Sequence, residues 1–144
     1  MAGASKPKVM VRFHLEANPA SGEAFTTSER TPGGRAVTLA RVAEISERDV
    51  VAIYPFHMEE YNSWGCYFFL DAHGKLALST FSAASRGALL LAYVNARPIT
   101  AMVIDRQIND GIITISNGLT EQEVALLKTA FPVPGEPFKK KRRR

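Results

Sequence analysis

Apolar and polar side chains alternate over residues 9–15, with Val9, Val11, Phe13 and Leu15 on one side and Met10, Arg12 and His14 on the other. A period of two predicts a half-buried strand there. Residues 18–34 are dominated by Ser, Thr, Gly and Pro and predict a long loop. Alternation resumes over 36–45 through Val37 and Leu39, then stops at the turn Ser46-Glu47-Arg48-Asp49. Residues 50–56 predict a further strand, closed by Pro55 and by the polar run over 59–63. Residues 65–70 are apolar at nearly every position and predict a strand buried on both faces.

At Asp71 the period changes. Asp71 suits an N-cap, Leu76, Leu78, Phe81 and Ala84 recur at roughly helical spacing, and Gly87 follows, so the pattern predicts a helix over 71–86. An apolar run over 88–94, the turn Asn95-Ala96 and a second run over 99–104 predict an antiparallel hairpin. Asn109-Asp110-Gly111 turns the chain into a strand over 112–116. Thr120-Glu121-Gln122-Glu123 is a capping box flanked by a Leu119–Val124 staple, and the helix it opens buries Val124, Leu127 and Phe131. These elements predict an α+β fold: an antiparallel sheet with two main helices packed on one face. Residues 9–131 read as a single domain, residues 1–8 as a flexible N-terminus, and residues 132–144 as a proline-rich linker and basic tail.

Composition narrows the class without naming an activity. With 46% hydrophobic and 22% charged residues in 144, the chain has the makings of one globular core. The longest nearly apolar stretch, over 87–94, is far short of the ~20 residues that span a bilayer. The single cysteine, Cys66, excludes an internal disulfide. The net charge of +4 belongs to the tail, because removing Lys139, Lys140, Lys141, Arg142, Arg143 and Arg144 leaves twelve basic against fourteen acidic residues. Polyanion contact, with nucleic acid or an anionic membrane, is therefore expected of those six residues and not of the body.

Candidate chemistry is sparse. No phosphate loop and no nucleophile elbow are present, and Cys66 sits mid-strand among apolar neighbours as a core residue would. His57, Glu59 and Glu60 form a cluster that a small enzyme of unknown reaction could use, yet no spacing demands catalysis, a cofactor or a metal. The segment over 54–64 is more suggestive, with Tyr54, Phe56, Tyr61 and Trp64 set among polar residues and a proline. Such aromatics serve equally as core or as a peptide-binding surface, and the four are the expected peptide contacts.

The run Leu70-Asp71-Ala72-His73-Gly74, then Phe81 and Ser85-Arg86-Gly87, continues into Asn95-Ala96-Arg97-Pro98-Ile99-Thr100-Ala101-Met102-Val103-Ile104, then Ile108, Gly111, Ile115 and Gly118-Leu119-Thr120-Glu121-Gln122-Glu123. This order resembles the head of the large periplasmic domain of SecD, the membrane subunit that assists the Sec protein-export channel. Val11-Arg12-Phe13 and residues 45–50 resemble its upstream strand and turn more loosely. Ala96 stands where that family carries a hairpin glycine, and Met102 where it carries proline. The resemblance implies a free-standing, non-enzymatic, extracytoplasmic α+β domain that contacts extended polypeptide or an envelope protein. It supplies no catalytic residues, and a cytoplasmic setting stays open. Proton-driven translocation does not carry over, since the sequence holds no membrane helices.

Overall fold

The computed structural model describes residues 9–18, 20, 22 and 24–134, so the expectations for residues 1–8 and for Lys139 to Arg144 lie outside the described residues. In chain order the elements are β1 (Val11–Leu15), β2 (Thr26–Arg30), β3 (Ala36–Ala40), β4 (Ile45–Ser46), β5 (Val50–Met58), β6 (Ser63–Leu70), α1 (Ala72–Ala84), β7 (Leu89–Val94), β8 (Arg97–Val103), β9 (Ile112–Leu119) and α2 (Glu121–Ala130). All strand pairings are antiparallel. The α+β class holds, but the strands divide into a four-stranded sheet β4-β1-β7-β8, a three-stranded sheet β5-β6-β9 and the hairpin β2-β3, where the sequence predicts one sheet.

One core joins the two larger sheets to both helices. Val11, Phe13, Leu90, Ala92 and Val94 come from the first sheet, Ile53, Cys66, Phe68, Ile113 and Ile115 from the second, Leu78 and Phe81 from α1, and Val124 and Leu127 from α2. Phe13 meets Phe68 edge-to-face with ring centroids 5.8 Å apart, an aromatic contact that crosses from sheet to sheet. Full burial of each ring contributes about 2–3 kcal/mol. The opposite face of the four-stranded sheet has a cover of its own. Val37 and Leu39 of β3 pack on Leu89 and Leu91 of β7, with Tyr93 and Ala101 at the margin.

Several sequence expectations are corrected here. The predicted loop over 18–34 contains β2, whose Thr-Thr-Ser-Glu-Arg sequence lacks apolar alternation. It pairs residue for residue with β3, which carries the burial for both. Strand β5 runs through Pro55 to Met58. Pro55 is tolerated because β5 is an edge strand: the Ile53 amide points outward to the Pro132 carbonyl at 3.0 Å, so Pro55, two residues on, also faces outward and removes no ladder donor. Strand β6 is not buried on both faces, since Tyr67 and Phe69 stay partly exposed opposite Cys66 and Phe68.

The helix starts agree with the sequence. The Asp71 carboxylate accepts the Gly74 amide at 2.8 Å, and α1 follows directly. At α2 the Thr120 hydroxyl accepts the Glu123 amide at 3.1 Å while the Glu123 carboxylate accepts the Thr120 amide at 2.9 Å. Arg97, just past the β7–β8 turn, then grips the same carboxylate with Nε and Nη2 at 2.6 and 2.7 Å. Burial raises the Glu123 carboxyl, but the hydrogen bonds from Arg97 and Thr120 outweigh it and hold the group below its ordinary value. The turn itself places Asn95 and Ala96 at φ of 50° and 71°, the left-handed pair that a two-residue hairpin requires.

Three outcomes follow from these contacts. Thr120→Ala leaves the Glu123 amide without its cap and lowers stability by about 1 kcal/mol, read as a shift in denaturation midpoint. Ala96→Gly relieves left-handed strain at a cost in unfolded-chain entropy, and raises stability by about 0.5–1 kcal/mol in the same measurement. Because Glu123 has a depressed folded-state pKa, its contribution is present above about pH 4.3 and is lost as pH falls through the folded value. Glu123→Gln is therefore less stable at neutral pH and loses less on acidification than the parent chain.

Candidate functional site

Strands β8 and β9 are edges of different sheets, and among the described residues no ladder joins them. They touch closely at one end. A Cβ on Gly118 would lie 2.9 Å from the Ile99 carbonyl oxygen, and Gly118 sits at φ of 111°, so glycine alone allows this approach. Arg97 Nη2 donates to the Gly118 carbonyl at 2.8 Å and fastens the same end. Toward Met102 and Val103 on β8, and Ile112 and Thr114 on β9, a cleft of about 420 Å³ opens between the sheets. Leu90, Met102, Ile104, Ile108 and Ile113 make its lining largely apolar, with the Tyr67 ring on one side and Asp105, Arg106 and Asp110 on another. Register shifts at Ala92/Tyr93 in β7–β8 and at Trp64/Cys66 in β6–β9 fall toward the pinned end of the two strands.

The four aromatics expected to bind peptide divide between two faces. The β5–β6 register sets Tyr54 opposite Tyr67 and Phe56 opposite Gly65, so these side chains share the face turned away from the main core. Their rings form a patch: Tyr54 and Phe56 lie 6.4 and 5.1 Å from Tyr67, centroid to centroid. Gly65 makes it possible, since a Cβ there would collide with the Phe56 ring. Trp64 projects to the other side, packs against the core and tilts over His57 at 5.0 Å. Tyr61 stands apart on the 3-10 turn Glu59–Tyr61, 60% exposed. Tyr67 is the ring that connects the aromatic patch to the cleft, and it lay outside the 54–64 segment that drew attention in the sequence. Met102 and Ile108 fall in the SecD-like run and Ile112 in a predicted strand, but the sequence did not mark any of the three as a binding residue.

The titratable groups considered for chemistry are either dispersed or already engaged in hydrogen bonds. His57 lines a polar cavity with Asn62, Trp64, Arg97 and Glu121, but Glu59 and Glu60 are not in its wall, so the three residues do not converge on one space. Burial pushes the Cys66 thiol up to about 12, which removes the thiolate a nucleophile would need. Asp49, Asp71 and His73 bring potential ligand atoms within 4.8 Å of one another. Both carboxylates already accept backbone amides, Asp49 from Ser46 at 3.0 Å and Asp71 from Gly74 at 2.8 Å, and His73 Nδ1 bonds Asp49 at 2.8 Å. The Asp49 hydrogen bond raises the His73 pKa above its ordinary value, so this contact is strongest at acidic to neutral pH and weakens as pH rises through the raised value. The six cations expected to meet polyanions lie outside the described residues.

No protein-family model and no curated protein matches the chain by sequence. Solved structures match it by fold. One, described as SecDF, a membrane component that enhances protein export, superposes with a TM-score of 0.60 at 16% identity, over 90% of this chain and 66% of that one. A second, SecDF in its super-membrane-facing form, gives a TM-score of 0.59 at 16% identity, over 88% of this chain and 20% of that one. This chain thus spans just under two thirds of the first and a fifth of the second. Among the described residues no helix is long and apolar enough to cross a membrane. At this level of identity the likeness is one of architecture, and in architecture the chain is a SecD-like α+β domain.

Proposed function

We propose that the domain is a non-enzymatic binder of extended polypeptide, acting outside the cytoplasm in the setting of protein export. The observation that carries this reading is the cleft between the β8 and β9 edges. A segment of unfolded chain must find partners for its backbone amides and carbonyls, and an unpaired strand edge offers them without regard to sequence. It must also bury apolar side chains, and the lining by Met102, Ile104 and Ile108 is chemically suited to that. A volume of about 420 Å³ accommodates a few side chains, within the usual range of binding pockets. Tyr67, with Tyr54 and Phe56 beside it, adds flat aromatic surface that grips many residue types. The similarity in fold to a membrane component that enhances protein export supports the setting.

Titration with a short unstructured peptide rich in Leu, Val and Phe tests the reading. The amides of Tyr67, Met102, Ile108 and Ile112 shift first, those of Tyr54 and Phe56 follow, and a peptide of Ser, Asp and Glu leaves them in place. Met102 is only partly buried, so Met102→Gln keeps the melting temperature close to that of the parent and weakens apolar-peptide affinity on the order of tenfold. Shifts confined to other surfaces, or none at millimolar peptide, overturn the proposal.

A further inference from the structure

The cleft between β8 and β9 is bounded by the edges of those strands and not by their faces. Its wall includes Met102, Val103 and Ile104 in succession on one side, and Ile112, Ile113 and Thr114 in succession on the other. Successive side chains of a strand point to opposite faces, so a space that touches three in a row lies in the plane of the sheet, beside the backbone. Backbone groups alternate as well, and two hydrogen bonds fix their direction. The Ile104 amide donates to the Ala88 carbonyl at 2.9 Å, in the register that pairs Met102 with Leu90, so Ala101 and Val103 turn their amides and carbonyls to the cleft. The Leu70 amide donates to the Gly111 carbonyl at 2.9 Å, in the register that pairs Phe68 with Ile113, so Ile112 and Thr114 turn theirs to the cleft. The Ile112 amide agrees with this direction, because it meets the Asp110 carboxylate at 3.0 Å and not β6.

We infer that the cleft takes a polypeptide segment as an inserted strand, hydrogen-bonded along both of the segment's edges, and that it favours segments whose apolar residues adjoin a cation. The inference rests on the reading of the cleft as a peptide site and specifies how the segment is held there. β8 and β9 run antiparallel, since the start of β8 meets the end of β9 at Arg97 and Gly118. An inserted strand is therefore parallel to one neighbour and antiparallel to the other, whichever way it enters. At the usual spacings of strands and stacked sheets, one residue fills about 160 Å³. The cleft volume of about 420 Å³ thus holds about two to three residues, which matches the short run that each edge presents. Alternate residues of the segment address β8 and β9, so adjacent residues both need a backbone amide, and proline is refused at either. The open end carries Asp105 and Asp110 against the single cation Arg106, a charge that complements Lys or Arg beside the apolar residues.

A short peptide of Leu, Val and Phe closed by Lys at both ends, N-methylated at each central amide in turn, tests the inference by its affinity for the full-length chain. Removing one donor from a two-sided ladder weakens binding on the order of tenfold, and does so at adjacent positions. Sensitivity at alternate positions indicates a single edge, and insensitivity throughout indicates side-chain burial alone. Either result overturns the inference while the peptide-binding reading stands. Hydrogen exchange in the complex reads the protein's side of the ladder: the amides of Val103 on β8 and Thr114 on β9 both gain protection. Protection on one strand only overturns the two-sided ladder. Glu in place of Lys weakens binding at low salt, and the difference closes at high salt. Equal affinities at low salt overturn the preference for a cation. If the unmethylated peptide does not bind at millimolar concentration, the peptide-binding reading and the inference fail together.

Discussion

A single guanidinium ties the two sheets together at one end, beside the core that joins them. Arg97 starts β8, and it reaches the carbonyl of Gly118 at the end of β9 and both oxygens of Glu123 in the first turn of α2. Three elements from different parts of the chain therefore meet at one side chain. The Glu123 carboxylate serves the helix cap and the clamp together, since it accepts the Thr120 amide as well. A bidentate, charge-assisted pair holds orientation as well as distance. With the sheets pinned here, and with Ile99 and Gly118 in close contact, strand twist separates β8 from β9 at their other ends. The cleft is the consequence of a clamp at one end and no pairing along the rest.

The sequence was most informative where local chemistry decides the outcome. Asp71 and Thr120 cap helices because a side-chain oxygen beside orphan amides has one good conformation, and no distant contact changes that. The β7–β8 hairpin was legible for a similar reason, as two apolar runs flank a two-residue turn. Strand β2 was not, because nothing in Thr26 to Arg30 distinguishes a strand from a loop until β3 pairs with it. The aromatic segment shows the limit more sharply. Tyr54, Phe56 and Trp64 lie close in sequence, yet the fold sends the first two outward and the third into the core. Strand parity across a turn settles that division, and parity depends on the β5–β6 register, which the intervening 3-10 turn determines. The cleft residues are apolar side chains like any others in the core, so only the separation of the sheets makes them a site.

Edge strands show where the molecule resists pairing and where it leaves pairing open. β5 is protected on its outer side by Pro55, which offers no donor, and by the Pro132 carbonyl, which occupies the Ile53 amide. β4 is only two residues long, too short to recruit another strand. β8 and β9 are longer, at seven and eight residues, and have neither device along the cleft. Because they face each other, a third strand entering between them would be held from both sides, whereas a strand added to an ordinary edge is held from one. The same geometry restricts access, since the Arg97 clamp closes one end and leaves entry from the side of Met102 and Ile112.

The cover over the opposite sheet explains why the aromatic patch is distinctive. Where the first sheet carries aliphatic side chains on its outer face, at Leu89 and Leu91, the β2–β3 hairpin buries them under Val37 and Leu39. Where the second sheet carries Tyr54, Phe56 and Tyr67, the side chains are ones that tolerate water at one edge while offering an apolar ring face. The aliphatic side chains are packed under a second layer, whereas rings with polar edges are suited to partial exposure. Gly65 has the same implication, because the ring of Phe56 lies across bare backbone and keeps the patch flat. Under the proposed reading, this flat, partly polar aromatic surface beside an apolar cleft is where an extended polypeptide exchanges along its length.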